Sequence, residues 1–415
     1  MELIGELYRR QYGRLVASLV RLLGGGAHRL DWAEEFAQDA LVRALETWPY
    51  HGVPPNPEAW LFTVARRRAV DRLRRERLPL EPLLLEEKPP GDDQLAMMLL
   101  CCHPSLNQDQ QIALTLQAVC GLNARQIARG LLLAESTVAQ RLVRAKRKLR
   151  KERVRFDQPG ASAETLLRVL YLLFNEGYAS TEAGAGWYEA GLCAEAIYLA
   201  GLLAASPASA SPAVHALLAL FHFQVSRLPA RLNAAGEAVP LPGQDRSRWD
   251  RRSIAAGFAH LEASAAGAEV SAYHVEAEIA AIHAAAPSFG ETGWARIVSL
   301  YDRLERSPAV SLNRAIALGY RDGPAAGLTA LSLLADDARG HLLPAARAEF
   351  LHQLQATAEA ASQFALAARR APTEPERRYL AGRRDMLERN HESARTGTIQ
   401  SPQTDRHADA RIRPR

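Results

Sequence analysis

The chain is poor in the residues that build small stapled or membrane-bound proteins. Four cysteines stand among 415 residues, two of them adjacent (Cys101, Cys102) and two isolated (Cys120, Cys193). That pattern gives no disulfide framework and fits a reducing cytosol. No run of about twenty apolar residues occurs, so no membrane-spanning helix is expected. The opening "MELIGELYRRQYGRL" carries charges where a signal peptide needs an apolar core. Aromatics make up only 7% of the chain, and no strand-like alternation of useful length appears in its long Ala- and Leu-rich second half. In excess are Ala, Leu and Arg, all strong helix formers. The expected class is all-α, and the length calls for more than one domain.

The net charge of +5 is a mild average over an uneven distribution. Basic residues crowd two stretches of the first 155 positions, and local charge is the informative quantity. In "AESTVAQRLVRAKRKLRKERVR", beginning at Ala134, nine basic side chains fall in the last fifteen residues. On a helix, Val138, Leu142, Ala145 and Leu149 share one narrow stripe fit for a core. Ser136, Thr137, Gln140, Arg141, Arg144 and Lys148 lie off that stripe, a polar and cationic surface suited to phosphates and base edges. Upstream, "GLNARQIARG" supplies a short helix and a tight connection, which is helix-turn-helix order.

An earlier segment, "DWAEEFAQDALVRALETW", predicts a helix capped by Asp31, with Ala37, Ala40, Leu41, Ala44, Leu45 and Trp48 on one apolar stripe. Asp31, Glu34, Glu35, Gln38 and Asp39 form its acidic surface. The next segment, "NPEAWLFTVARRRAVDRLRRER", carries Trp60 and Arg66, Arg67, Arg68, Arg72, Arg74 and Arg75. Cations there supply phosphate affinity, and an aromatic offers a face to a base leaving the duplex. Between the two basic regions, "LPLEPLLLEEKPPGDDQ" reads as a tether. "GGGAHRL" reads as a flexible turn.

Several tempting motifs fail on spacing. "CCHP" offers thiolates and an imidazole, but adjacent cysteines do not make a C-x2-C pair, so buried packing is the expected role. His274, Glu278 and His283 do not form the H-E-x-x-H face, because the gap from Glu278 to His283 is five residues. Asn175 and Glu176 fit helix capping or cross-linking. No cofactor, metal or catalytic pair is called for, and the chain is not expected to be an enzyme.

The stretch "LNQDQQIALTLQAVCGLNARQIARGLLLAESTVAQRLVRAKRKLR" resembles region four of a bacterial sigma factor, and the "DWAEEF" and "NPEAWLF" segments resemble region two. Trp32, Arg67, Leu132 and Ala134 depart from the usual pattern. With two regions on a short tether, the resemblance is to the extracytoplasmic-function class. "MMLLCCHPSL", "LLFNEGY", "SPAVSLNRAIAL" and "DGPAAGL" extend it to the group forty-two type, which carries a tetratricopeptide-like C-terminal extension. Ala360, Phe364, Ala367 and Pro372 keep the spacing of half a tetratricopeptide unit.

That resemblance implies region two over 1–78, a linker over 79–94, region four over 95–155, a helical repeat domain over 156–389 and a disordered tail over 390–415. It implies promoter DNA and core RNA polymerase as partners. The acidic surface of Asp31, Glu34, Glu35, Gln38 and Asp39 would meet the beta-prime clamp helices, region four the beta flap and the minus-thirty-five element, and the arginine helix the minus-ten element. A small DGPF (YCII-like) protein is a further implied partner. A one-component helix-turn-helix regulator with a repeat-type sensor domain is the alternative reading.

Overall fold

The structure is a computed structural model that describes residues 2–76, 92–131, 133–156, 163–179, 188–335 and 340–397. Among the described residues the secondary structure is α-helical, with short 3-10 turns and no strand. The tether falls mostly outside the described residues, as does Leu132. The chain divides into two compact units, residues 1–231 with 241–292, and residues 232–240 with 293–415.

The first unit begins with α1 (Glu2–Leu22), α2 (Leu30–His51) and α3 (Pro57–Arg75). These pack on one another. Helix α2 buries Ala37, Ala40, Leu41, Ala44 and Trp48 as expected, whereas Leu45 is exposed. Helix α3 starts where Asn56 accepts a bond from the Ala59 amide at 3.0 Å and Pro57 sets the first turn. Its core stripe is Leu61, Ala65, Ala69 and Leu73.

Four helices follow: α4 (Asp92–Cys101), α5 (Gln108–Ala118), α6 (Ala124–Gly130) and α7 (Glu135–Glu152). Asn107 and Asn123 each close a reciprocal capping box with a glutamine three residues on, Gln110 and Gln126. Each such cap stabilises its helix by about 1 kcal/mol. Helix α7 has no side-chain cap, because Ala134 stands at that position. It ends where Arg153 turns left-handed at φ 54°.

The unit is completed by α8 (Ala163–Tyr178), α9 (Ala190–Ala205), α10 (Pro212–Val225), α11 (Arg251–Ser264) and α12 (Ala272–Ala285). One apolar core runs through α1 to α10: Leu170 and Phe174 of α8 and Leu199 of α9 share it with Val16 and Leu114. Helix α8 packs on α5 and α6, and α9 on α1 and α4. The expected boundary near residue 156 is therefore not where the contacts divide; the break comes after Thr292. The reason is physical: α8 and α9 are apolar on the faces that meet the earlier helices.

All four cysteines are free and buried. Burial pushes the Cys102 and Cys193 thiols up to about 12, and those of Cys101 and Cys120 well up. A thiol that cannot ionise is a poor nucleophile. An aromatic disulfide reagent at pH 8 is thus expected to find no reactive thiol in the native chain and four after denaturation; rapid native labelling of Cys101 or Cys102 would contradict that burial.

Within α12, His274 closes a box with Ser271, accepting from its amide at 3.1 Å. Desolvation, reinforced by the charges of Arg227 and Arg246, pushes His283 down to about 3. The unfolded imidazole binds its proton near 6.5, so its contribution to stability is complete above that pH and is lost as pH falls toward 3. His283→Gln should flatten the acid limb of the unfolding curve by on the order of 3 kcal/mol. An unchanged slope between pH 6.5 and 4 would contradict it.

In the second unit, α13 (Trp294–Tyr301), α14 (Pro308–Asp322), α15 (Pro324–Ser332), α16 (Leu342–Gln353), α17 (Thr357–Arg370) and α18 (Glu374–Gly397) pack mainly on their sequence neighbours. Gly319 and Gly327 leave room for the Phe350 ring, which lies edge-on to Tyr320. Ala360, Phe364 and Ala367 are buried together, whereas Pro372 is exposed. Helix α18 continues to Gly397, past residue 390 where a disordered tail was expected; the rest of that segment lies outside the described residues.

Candidate nucleic-acid and polymerase interface

Helices α6 and α7 form the helix-turn-helix. Val138, Leu142, Ala145 and Leu149 are all buried, which fixes the rotation of α7 and sets its opposite side outward. On that side Ser136, Gln140, Arg144 and Lys148 are exposed, while Thr137 and Arg141 are half-buried. Arg141 is held by Asp109 of α5 at 2.9 Å, and Lys148 donates to the Ser105 carbonyl. The remaining flank of α7 carries Lys146 and Arg150, and these turn toward α2. Lys146 lies 2.5 Å from Glu34 and 3.7 Å from Asp31, and Arg150 pairs with Asp31.

The acidic surface of α2 is therefore split. Glu35 and Gln38 are exposed, and Asp39 is half-exposed with Arg68 3.9 Å away. Asp31 does not cap the helix, because α2 begins one residue earlier at Leu30, with Arg29 as its N-cap. Asp31 lies instead in the first turn, where its charge favours the helix dipole. Glu34 is buried. Burial pushes its carboxyl up, and Lys146 draws it partly back down.

Along α3, Arg66, Arg67, Arg68, Arg72, Arg74 and Arg75 are all exposed. Arg72 pairs with Glu76 at 2.8 Å and lies over the Trp32 ring at 5.0 Å. Trp60 is different. It packs edge-on against the buried Trp48, with ring centroids 5.4 Å apart, so much of its face belongs to the core.

"GGGAHRL" is ordered, contrary to the flexible turn expected. The Ala27 amide donates to the Val154 carbonyl at 2.8 Å and the Phe156 amide to the Gly25 carbonyl at 2.9 Å, an antiparallel bridge that joins the α1–α2 connection to the end of α7. Arg129 of α6 pairs with Glu176 of α8 at 2.5 Å, the cross-link expected of that glutamate. Gln94 of α4 donates to Glu195 of α9 at 3.0 Å. Sequence reading missed Lys146, Arg150, Asn107 and Asn123. Only the two capping asparagines had a local signal, an Asn three residues before a Gln.

Among the described residues, no group of three or more His, Cys, Asp or Glu is placed to hold a metal ion. None of their helices is long and apolar enough to cross a membrane.

A helix-turn-helix with a cationic outer face, joined to a second helical module bearing acidic and arginine-rich surfaces, defines a DNA-binding protein of the transcription machinery. Family models agree, matching sigma-70 region 2 over residues 7–78, sigma-70 region 4 over 96–149 and a family of unknown function over 163–265. The chain carries sigma-70 region 2 and region 4 domains, followed by a domain of a family of unknown function. An uncharacterized protein of Rhizobium meliloti (strain 1021) is 38% identical over 384 residues, covering 86% of this chain and 90% of that protein. No solved structure matches the chain. Sigma-70 regions 2 and 4 support a role in transcription initiation, with promoter DNA and core RNA polymerase as partners.

Proposed function

We propose that this chain is a cytoplasmic sigma factor of the extracytoplasmic-function class, group forty-two type, whose residues beyond 156 form a tetratricopeptide-like extension that controls when it acts. Ser136, Thr137, Gln140, Arg141, Arg144 and Lys148 read the minus-thirty-five element. Arg66, Arg67, Arg68, Arg72, Arg74 and Arg75 hold the minus-ten strand, with Trp60 at the edge of that surface. Asp31, Glu34, Glu35, Gln38 and Asp39 meet the beta-prime clamp helices, and region four meets the beta flap. A small DGPF (YCII-like) protein is a partner of the extension.

The observation that carries this reading is the exposed polar face of α7, set by its buried stripe, in one chain with an acidic α2 and an arginine-rich α3. Strand opening costs about 1–2 kcal/mol per base step. Cations that bind the displaced strand better than duplex shift that equilibrium by the difference in the two affinities, with no covalent chemistry. Control by the extension is supported by α8 and α9, which pack on helices of both sigma regions.

Co-purification with core polymerase tests the assignment. Glu35→Lys with Asp39→Lys, both on the open part of α2, should weaken polymerase binding about tenfold, chiefly by slowing association. Unchanged binding would remove α2 from the interface. A one-component regulator would instead protect its operator without polymerase.

A further inference from the structure

Three basic side chains from three segments of the first unit meet beyond the end of α10. Arg227 follows that helix, Arg246 opens a 3-10 turn over Arg246–Arg248, and His283 lies in the last turn of α12. The Asp250 amide donates to the Ser226 carbonyl at 2.8 Å, and the turns Leu228–Ala230 and Arg246–Arg248 pack on each other, which joins the first two segments. Arg246 reaches the third, where Nη1 donates to the His283 carbonyl and to that of Ala286 at 2.7 Å. Burial, then the charge of Arg227, lowers the Arg246 guanidinium, and burial with both arginines keeps the His283 imidazole neutral.

The carboxylates nearby are engaged elsewhere. Asp245 accepts from the Ser247 amide at 2.9 Å and hydroxyl at 2.7 Å. Asp250 caps α11 on the amides of Arg252 and Ser253. Glu291, whose charge favours Arg246, accepts from the Ser288 hydroxyl at 2.6 Å. The two guanidiniums donate to neutral oxygens instead, Arg227 to the Tyr178 hydroxyl at 2.7 Å and to Gln224, Arg246 to the two carbonyls. Capping of α12 accounts for Nη1 of Arg246 and leaves Nη2 over, buried with no hydrogen-bond partner. A charged donor without an acceptor is costly, and an oxygen placed there would relieve it.

Charge and shape narrow the ligand. A carboxylate has one charge and two oxygens, which a single guanidinium satisfies. Two arginines and an imidazole able to take up a proton match a tetrahedral dianion. The phosphates of a polynucleotide are diesters, one charge each and set in a row, whereas these groups meet at one place. Arg248, Arg251 and Arg252, exposed close by in sequence, add to the positive potential that draws an anion in.

We propose that Arg227, Arg246 and His283 form a binding site for a phosphoryl dianion, supplied as inorganic phosphate or as the terminal group of a small phosphate monoester. None of the three belongs to the surfaces assigned above to promoter or polymerase, so the site stands or falls apart from the sigma-factor reading.

The test is calorimetric titration of the full chain at constant ionic strength, which removes general salt effects. The probes are inorganic phosphate, glycerol 3-phosphate, acetate and a DNA duplex. Saturable binding of a phosphate probe at one site is expected, with acetate at least ~10-fold weaker. The tighter of the two phosphate probes identifies the source. Arg227→Gln and Arg246→Gln should each weaken that binding about tenfold. His283 supplies a readout that a purely structural cluster would not move. Without ligand its ring should stay neutral down to about pH 5; a dianion beside it favours the charged form, so saturating phosphate should make its proton resonances titrate above that pH.

No saturable binding, equal binding of acetate, binding that survives Arg227→Gln, or a His283 ring indifferent to phosphate would each overturn the site. A response to the duplex with none to either phosphate probe would overturn it in favour of nucleic acid. If Arg246→Gln does not fold, Arg227→Gln and the His283 titration of the native chain decide.

Discussion

Reversing Arg141 and Arg144 together, Arg141→Glu with Arg144→Glu, is expected to reduce initiation at the chain's own promoter at least ~100-fold while leaving core polymerase binding intact. Each cation that leaves a phosphate or base edge costs binding, and each reversal adds repulsion from the backbone. Arg144 is exposed on the outer face of α7, so its reversal disturbs no packing. Arg141 is the more consequential partner because Asp109 holds it at 2.9 Å, and reversal sets two carboxylates against each other. Run-off transcription beside polymerase pull-down separates the effects. Equal loss in both assays would mean that the fold, rather than promoter reading, had been damaged; no loss would remove α7 from the DNA.

The second large effect is steric. Gly13→Val drives a branched side chain into the Val119 carbonyl, backbone that no rotamer change can move aside. Overpacking of this kind costs typically 1–3 kcal/mol and sometimes more. For a unit of this size that corresponds to a fall of about 2–5 °C in its thermal midpoint. The same wedge separates α1 from the end of α5, so a zero-length carbodiimide should cross-link Lys146 to Glu34 less efficiently in the variant that remains folded. A midpoint and a cross-link both equal to wild type would mean that α1 does not approach Val119 in solution.

Much of the fold is legible because helices announce themselves through apolar spacing. The stripes of α3 and α7 needed only the 3.6-residue period. Leu45 shows the limit: it has the right spacing on α2, but nothing packs over it. Asp31 shows another, since a capping residue is recognised by type and the helix began one residue sooner. The asparagine caps of α5 and α6 were readable and went unread.

The candidate surfaces were half legible. Residue type and spacing predicted an outward polar side of α7 and an arginine-rich side of α3, and most of those side chains are exposed. What no local pattern could reveal was which basic residues turn inward. Lys146 and Glu34 are 112 residues apart, and their meeting depends on the pairing of "GGG" with the end of α7, a loop whose composition suggested mobility. The division after Thr292 was equally hidden, because the Ala- and Leu-rich helical pattern of the second half runs on across it. Trp60 illustrates the reverse case: its type suggested a base-stacking face, and Trp48 takes up much of it.

The central claim is that this chain gives core polymerase a promoter. The most direct measurement is reconstituted transcription with purified core polymerase on a template carrying the promoter of a gene this chain controls. A defined transcript is expected only when the chain is present, with its start fixed by the two elements proposed for α3 and α7. Protection of the template by the chain alone, with no transcript from the mixture, would contradict it.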